Sequence, residues 1–340
     1  MFFAAARSLR AFDVARALLR KRTNILCFHG FSVGDEHLFR PMLFMRAEVF
    51  ARRLAAIGRL GLSVITLDAF VENRSRGELS INDVVLTIDD GFYSVLSIAA
   101  PLLREIGMPA TLYATTYYVE HQEPLPHLVI QYAFWKTRRP SIALDGLHPK
   151  ASGTVPTKGP EGLRASAELC ERAHALGLAA RVSLAQAVCA RTDVDYEELR
   201  QSRRLTLLTR AELAQLADFG IDVQLHTHRH RSPADERELA EELALNRKIL
   251  ESAARSELRH LCYPSGEWNR AQWPALGKLG VVTATTCEPG LNGERTPAFG
   301  LRRCLDSDDL PDLEFEAELT GFKEAMRYLR SPRGNASPPP

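Results

Sequence analysis

The chain has 340 residues, of which 45% are hydrophobic, and its formal net charge is +1. This length and composition allow one large α/β fold with a sizeable core, and the near-neutral charge, without a lysine-rich stripe, argues against a nucleic-acid partner. Six cysteines without C-x-x-C spacing are expected to be small core residues in a reducing compartment, not a disulfide framework.

Residues 1–22 carry six basic side chains against a single acidic residue, Asp13, with Phe and Leu residues between them. This segment lacks a clean apolar run and a cleavage site, so it does not resemble a secretory signal, and it is too short to cross a membrane. It predicts a basic amphipathic helix that either rests on an anionic membrane surface or packs over one end of the fold. We therefore expect a cytoplasmic protein, with peripheral contact at the inner membrane as an open alternative.

Apolar strand-like runs then alternate with amphipathic helical stretches, which is typical of a parallel sheet covered by helices. The predicted strands cover residues 24–28, 63–67, 84–88, 110–114, 221–225, 260–263 and 281–285. The predicted helices cover residues 47–60, 93–106, 209–218, 235–254 and 270–279. This order predicts an α/β fold, a distorted (β/α)7-type barrel over residues 23–330, followed by a disordered Pro-rich tail at 331–340.

About a hundred residues, 115–209, separate the fourth predicted strand from the fifth. A structureless loop of this length is improbable inside a compact domain. We expect a largely helical insertion near the ligand-binding edge of the sheet. Two interpretations remain open: the insertion shapes access to a substrate, or it only lengthens the fold.

The run VVLTIDDGF ends in two adjacent carboxylates, Asp89 and Asp90. They follow a buried strand, and the carboxyl ends of parallel strands form the edge where α/β proteins bind ligands. Two neighbouring carboxylates repel each other, so a metal, an arginine or a shared proton should compensate them. The alternative is an Asp-Asp-Gly turn in which one carboxylate caps the next helix.

Three histidines lie in the stretch HTHRH, directly after another strand-like run. The separation of His226 and His230 predicts that both rings share one face of a helical turn, with His228 pointing elsewhere. Two imidazoles and one carboxylate would form a three-ligand site with an open position, as in catalytic zinc sites. The alternative is a polar turn that happens to be rich in histidine.

Two motifs resemble those of the NodB-homology polysaccharide deacetylases, also called carbohydrate esterase family four. The family motif T-[FY]-D-D-G is similar to TIDDG at 87–91, and H-[ST]-x-x-H is similar to HTHRH at 226–230. The resemblance extends from about Ile25 to Arg303. It implies one divalent metal ion, expected to be Zn²⁺, held by Asp90, His226 and His230, with Asp89 as the general base.

The third family motif, R-x-P-Y, is only partly present, because Cys262 and Tyr263 precede Pro264 and Ser265 without the arginine. The family uses that arginine to orient the catalytic Asp, and either Arg302 or Arg303 is a candidate to replace it. The resemblance assigns the Ser265 backbone N–H to the oxyanion, which a side-chain change does not remove. Tyr263, Pro264 and Trp268 are the predicted substrate-binding residues.

The last family motif, L-x-H, supplies the general acid, but Leu301, Arg302 and Arg303 contain no histidine. His29, at the end of the strand-like run NILCFHG, is the candidate replacement, as in members that act on exported poly-N-acetylglucosamine. The alternative is a histidine that bonds a backbone carbonyl at a strand end.

The resemblance therefore implies a carbohydrate substrate: an N-acetylated sugar of a cell-surface polysaccharide or its precursor, hydrolysed to acetate and an amino sugar. A different amide hydrolase, such as a deformylase of a formamido sugar, is a second hypothesis. The missing motif residues leave a third, a glycan-binding homologue without turnover.

Overall fold

The computed structural model describes residues 2–147 and 152–330, so the predicted tail lies outside the described residues. The strands are β1 Asn24–Phe28, β2 Gly30–Phe31, β3 Phe44–Met45, β4 Ser63–Val64, β5 Asp83–Asp90, β6 Ala110–Ala114, β7 Ser141–Ala143, β8 Thr154–Pro156, β9 Ile221–Leu225, β10 His260–Cys262, β11 Thr283–Thr285 and β12 Cys304–Leu305.

The α-helices are α1 Phe2–Ser8, α2 Ala11–Leu18, α3 Glu36–Phe39, α4 Ala47–Arg59, α5 Leu67–Ser75, α6 Ala100–Ile106, α7 Pro126–Lys136, α8 Gly159–His174, α9 Leu178–Thr192, α10 Tyr196–Ser202, α11 Arg210–Gln215, α12 Glu236–Leu250, α13 Trp273–Lys278, α14 Asp312–Leu319 and α15 Phe322–Arg330. A π-helical turn, Val95–Ala99, precedes α6.

The main sheet runs in the order β11, β10, β9, β6, β5, β1, β12, and its strands are parallel. Leu301 joins its two edges: its N–H donates to the Ala284 carbonyl at 2.9 Å, and its carbonyl accepts from the Thr286 N–H at 2.8 Å. The chain then forms β12 beside β1. This connection confirms the predicted distorted (β/α)7-type barrel.

The strand predictions differ from the structure at two places. The predicted strand 63–67 is the two-residue β4, which pairs only with the start of β5. The seventh barrel strand is instead β12, which was not predicted because two residues are too few to show an alternating or continuous apolar pattern. The other predicted strands are present with ends that differ by up to two residues.

Residues 115–209 form the helices α7 to α10 and the hairpin of β7 and β8. This segment has its own apolar core, in which Leu128 and Val129 of α7 pack with Leu169 of α8 and Val188 of α9. Its largely helical character agrees with the sequence prediction.

The N-terminal segment differs from the single helix that was predicted. It forms two short helices, α1 and α2, because Arg10 between them is left-handed with φ of 59°. Phe12 packs against Phe322 of α15 with ring centroids 5.0 Å apart, whereas Leu9 and Leu18 are 80% and 76% exposed. Across residues 2–147 and 152–330, no helix combines the length and apolar character needed to span a bilayer.

Candidate active site

Asp89 and Asp90 are the last two residues of β5, and they point into a cavity at the carboxyl edge of the barrel. Asp90 has φ of 72° and Gly91 has φ of 93°, so the chain turns sharply where the strand ends. A left-handed aspartate is uncommon and its backbone is strained. Two adjacent residues of a strand normally face opposite sides, and this turn brings both carboxylates to one site.

Asp90, His226 and His230 converge on one point. Asp90 Oδ1 lies 3.3 Å from His226 Nε2 and 3.3 Å from His230 Nε2, and the two imidazole centroids are 4.9 Å apart. Two ligands held at about 2.0–2.1 Å from a tetrahedral zinc ion lie roughly 3.3 Å from each other. The three side chains could therefore hold such an ion without rearrangement.

The electrostatics of this cluster favour a positive charge beside Asp90. The His226 Nδ1–H donates to the Cys262 carbonyl at 2.9 Å, and this leaves Nε2 facing Asp90. Burial lowers the pKa of His226, but the contact with Asp90 and the charge of Asp89 outweigh burial and raise this pKa above its ordinary value. The same contacts overcome burial and hold the pKa of Asp90 well below its usual range.

The HTHRH loop reaches this geometry differently from the helical turn that was predicted. Residues 226–230 are not helical, and both Thr227, with φ of 59°, and His230, with φ of 53°, are left-handed. The helical interpretation of the four-residue spacing was therefore wrong, although the two rings do meet.

The HTHRH loop is supported from α12. Asn246 Oδ1 accepts from the His226 N–H at 3.0 Å, and the buried Glu242 accepts from the Arg229 N–H at 2.7 Å. His228 turns away, as predicted, and its Nδ1 lies 2.9 Å from Thr116 Oγ1. Two polar side chains of one helix thus fix the backbone that presents His226 and His230.

Asp89 is buried and forms a two-point ion pair with Arg303. Nη1 donates to Oδ1 and Nη2 to Oδ2, each at 2.7 Å. Burial alone would raise the pKa of Asp89, but the Arg303 guanidinium outweighs it and holds this pKa well below the usual range. Of the two arginines proposed to replace the missing motif residue, Arg303 is the one that contacts Asp89, whereas the Arg302 backbone pairs with the Asn292 side chain.

Two thiols complete the surroundings of Asp89. The Cys262 and Cys27 S–H groups donate to Oδ2 at 3.3 Å and 3.5 Å. Burial raises the pKa of both thiols well above the ordinary value. Cys27 or Cys262 could join Asp89 in other three-ligand groups, but protonated thiols and an Arg-paired carboxylate are poor metal ligands, so the Asp90 cluster is the better candidate.

His29 faces the same carboxylate, with Nε2 3.9 Å from Asp89 Oδ2. Its buried Nδ1 has no hydrogen-bond partner within the described residues. The alternative that His29 is satisfied by a backbone carbonyl is therefore not what the described structure shows. His29 lines the cavity, so its imidazole is placed to exchange a proton with a bound molecule.

The third-motif residues are divided between the cavity and the core. Ser265 lines the cavity in a left-handed conformation with φ of 57°, and Tyr263 lines it while its hydroxyl donates to the Phe299 carbonyl at 2.9 Å. Pro264 is buried and outside the lining. Trp268 is also outside it and stacks on Trp273 at 5.5 Å.

The cavity has a volume of about 830 Å³. Barrel residues form one side, and the segment 115–209 contributes much of the other: Tyr117, Tyr118, Leu125, His127, Leu128, Gln131, His174, Arg181 and Leu207. Several of these polar groups were not predicted as site residues, because they are isolated in the sequence and only the packing of α7 and α8 brings them to the cavity.

A protein-family model matches part of the chain that forms this cavity. Residues 182–284 match the family model for polysaccharide deacetylases. This match covers less than a third of the chain. The matched stretch includes His226, His230 and Ser265, whereas Asp89 and Asp90 lie on the far side of the insertion.

One curated relative is the "Putative polysaccharide deacetylase YxkH" of Bacillus subtilis (strain 168). It is 24% identical over 118 residues, which cover 34% of this chain and 42% of YxkH. The match therefore spans less than half the length of that relative.

Solved deacetylases share the fold over most of the chain. PplD of Streptococcus pyogenes, solved with acetate, has a TM-score of 0.57 at 15% identity and covers 92% of this chain and 100% of its own. IcaB of Ammonifex degensii has a TM-score of 0.55 at 16% identity, with 88% and 97% covered. At identities this low, the structural similarity establishes the shared fold alone.

Proposed function

We propose that the protein is a metal-dependent hydrolase that removes the N-acetyl group from an N-acetylated sugar of a cell-surface polysaccharide or its precursor. One observation carries this proposal: the Asp90, His226 and His230 cluster lies in the same cavity as an Asp89 carboxylate that Arg303 keeps ionised. The match of residues 182–284 to the polysaccharide deacetylase family model and the fold shared with a solved deacetylase support it.

Asp90, His226 and His230 would hold the metal, and the distance of 3.3 Å from Asp90 Oδ1 to each of the two Nε2 atoms fits the donor spacing around Zn²⁺. A zinc ion in such a site polarises an amide carbonyl and lowers the pKa of water towards about 7. The hydrogen bond from His226 to the Cys262 carbonyl fixes the ring orientation that this role needs.

The remaining groups divide the proton transfers of amide hydrolysis. Asp89, ionised and held in place by Arg303, takes the proton of the attacking water. The Ser265 N–H, presented to the cavity by a left-handed turn, donates to the oxyanion. His29, whose Nδ1 is unpartnered among the described residues, gives a proton to the departing amine. Tyr263 lies on the same wall and would contact the sugar.

The position of Arg303 weighs against the hypothesis of a glycan-binding protein without turnover. That hypothesis was founded on the absence of the motif arginine and of the L-x-H histidine. A guanidinium that pairs with Asp89 through both oxygens does what the motif arginine is expected to do. His29 supplies an imidazole near the same carboxylate.

The decisive experiment measures zinc content and acetate release from N-acetylhexosamine oligomers, with N-formylated sugars assayed in parallel. We expect about one zinc per chain and acetate release that Asp89→Asn abolishes while zinc stays bound. Formate release alone would replace the proposal by a deformylase. Tight zinc binding without release from any acylated sugar would favour a binding protein.

We further propose a cytoplasmic location in which α1 and α2 contact the anionic inner surface of the membrane. The exposed Leu9 and Leu18 lie beside the basic Arg10 and Arg20, a combination that binds anionic lipid headgroups. Sedimentation with vesicles of phosphatidylglycerol, but not of phosphatidylcholine, is expected, and Leu9→Ser with Leu18→Ser should reduce it. Equal sedimentation of this variant would contradict the proposal.

A further inference from the structure

The charges that line the cavity do not balance. Asp89 and Asp90 are the acidic residues in its lining as far as the structure describes the chain. Asp89 is neutralised by Arg303, and Asp90 belongs to the metal cluster. Arg229 and Arg231 also line the cavity, and both pair with the buried Glu242.

Two further arginines of the lining, Arg40 and Arg181, have no carboxylate partner within the described residues. The Arg40 Nη2 donates to the neutral Gln131 side chain. Arg181 donates through Nε to the Leu176 carbonyl at 2.8 Å and through Nη2 to the His174 carbonyl at 2.9 Å. These neutral acceptors orient the two guanidinium groups and leave their charge uncompensated.

Two histidines lie next to these arginines. His127 and His174 stack with ring centroids 6.2 Å apart, and His127 precedes Gln131 by one turn of α7. Burial, together with the nearby charge of Arg40, lowers the pKa of His127 to about 3, so this imidazole is neutral. The group Arg40, His127, His174 and Arg181 is here called the cationic wall, and its positive charge comes from the two arginines.

The first turn of α7 adds to this positive charge. Leu125, His127 and Leu128 line the cavity at the amino end of an eleven-residue helix whose N-cap has no side-chain hydrogen bond. Such a helix end carries a partial positive charge and free backbone N–H groups. The unpaired guanidinium of Arg40, which bonds Gln131 of the same helix, adds its charge to this end of the cavity and would attract an anionic ligand.

We infer that the cavity accepts an anionic substrate: an N-acetylated sugar whose phosphoryl or carboxylate group binds the cationic wall while its acetamido group faces Asp90. This inference rests on the proposed function for the acetamido end, whereas the cationic wall is argued from Arg40, Arg181 and the two histidines. Arginine side chains match both oxyanions with paired N–H donors. Neutral oligosaccharides would leave the positive charge of the cationic wall without a counterion.

Calorimetric binding tests the wall without requiring turnover. The protein is His29→Gln, which keeps the Asp89–Arg303 pair, with and without zinc, and the ligands are methyl N-acetylglucosaminide, N-acetylglucosamine 1-phosphate and N-acetylmuramic acid. We expect at least one anionic sugar to bind about tenfold or more tightly than the neutral glycoside, also in the zinc-free protein. The phosphate and carboxylate arms identify which anion the wall prefers.

The variant Arg40→Gln with Arg181→Gln should reduce that preference about tenfold or more. Arg40→Lys with Arg181→Lys keeps the charge and should retain part of it, which separates charge from misfolding. Arg255→Gln, at an exposed ion pair with Asp218, is the matched control and should keep the full preference. Equal affinity for anionic and neutral sugars, or an unchanged preference in the Gln variant, would overturn the inference.

The two proposals fail separately. If no sugar is deacetylated but anionic sugars still bind through Arg40 and Arg181, the proposed reaction fails and the cationic wall stands. If the wild-type chain releases acetate with the same kcat/KM from neutral and anionic sugars, the reaction stands and the inference fails.

Discussion

Arg303 and Asp89 meet as a planar pair, with both guanidinium nitrogens 2.7 Å from the two carboxylate oxygens and both side chains buried. The two residues are 214 positions apart in the sequence. They come together because β12, which carries the chain on from Arg303, lies beside β1, and β1 lies beside β5. Closure of the barrel therefore brings an arginine to Asp89.

Replacing Arg303 by lysine is expected to lower kcat about 10²-fold or more, because one ammonium cannot orient both oxygens of Asp89. The pKa of Asp89 should rise, since burial is then less well compensated. The acid limb of the kcat/KM profile should consequently move to higher pH. Arg302→Lys is the neighbouring control, and an acid limb that stays in place would contradict this account.

Arg303→Met leaves the buried Asp89 without a counterion and should lower the free energy of unfolding by about 3–5 kcal/mol. The lowered pKa of Asp89 makes this a pH-dependent loss. The stabilisation is present above the ordinary pKa of about 3.9 and disappears as the pH falls towards the lowered value. Urea unfolding at neutral and acidic pH should show the difference between the two proteins narrowing as the pH falls.

Alanine substitutions should distinguish the two histidines proposed to bind zinc from His228, which lies between them in the sequence. His226→Ala and His230→Ala are expected to lose zinc, because each removes one of three ligands. His228→Ala should retain it, since His228 contacts Thr116 instead. Metal content of the purified variants is the measurement, and loss of zinc from His228→Ala would reverse the assignment.

His29→Gln should lower kcat by about 10²–10⁴-fold and leave zinc content unchanged, as expected for loss of a general acid. Glutamine keeps a hydrogen-bond donor but cannot release a proton. His121→Gln, at an exposed residue outside the cavity lining, serves as the control. If His29→Gln changes only KM, His29 binds the substrate and another group protonates the amine.

The sequence was sufficient to predict the parallel barrel and the Asp90, His226 and His230 cluster, because strand ends and short motifs are local patterns. It could not place Arg303, whose contact with Asp89 depends on barrel closure through Leu301. The cationic wall could not be predicted from the sequence for a related reason. Arg40 lies before the barrel helices, and His174 lies in the insertion, with no motif linking them.

The local backbone geometry of the HTHRH loop could not be predicted from the sequence either. The four-residue spacing of His226 and His230 suggested a helical turn, but Thr227 and His230 are left-handed. Such conformations are unusual for these residue types, and propensity gives no reason to expect them. Hydrogen bonds from Asn246 and Glu242 of α12 hold the loop, and their roles depend on tertiary packing.

Gly266 provides a final test of how the Ser265 turn is built. It has φ of 70°, and an added Cβ would lie 2.7 Å from the Cys287 Cβ, so Gly266→Ala introduces both backbone strain and a clash. We expect it to lower the free energy of unfolding by about 1–3 kcal/mol and to reduce kcat by displacing the Ser265 N–H.

Gly58→Ala in α4 is the matched control, because nothing lies within 4 Å of its added Cβ, and it should stabilise the protein by about 0.5–1 kcal/mol. Thermal unfolding and acetate release of the two variants check both effects, and a Gly266→Ala protein with unaltered stability would show that this turn tolerates a side chain.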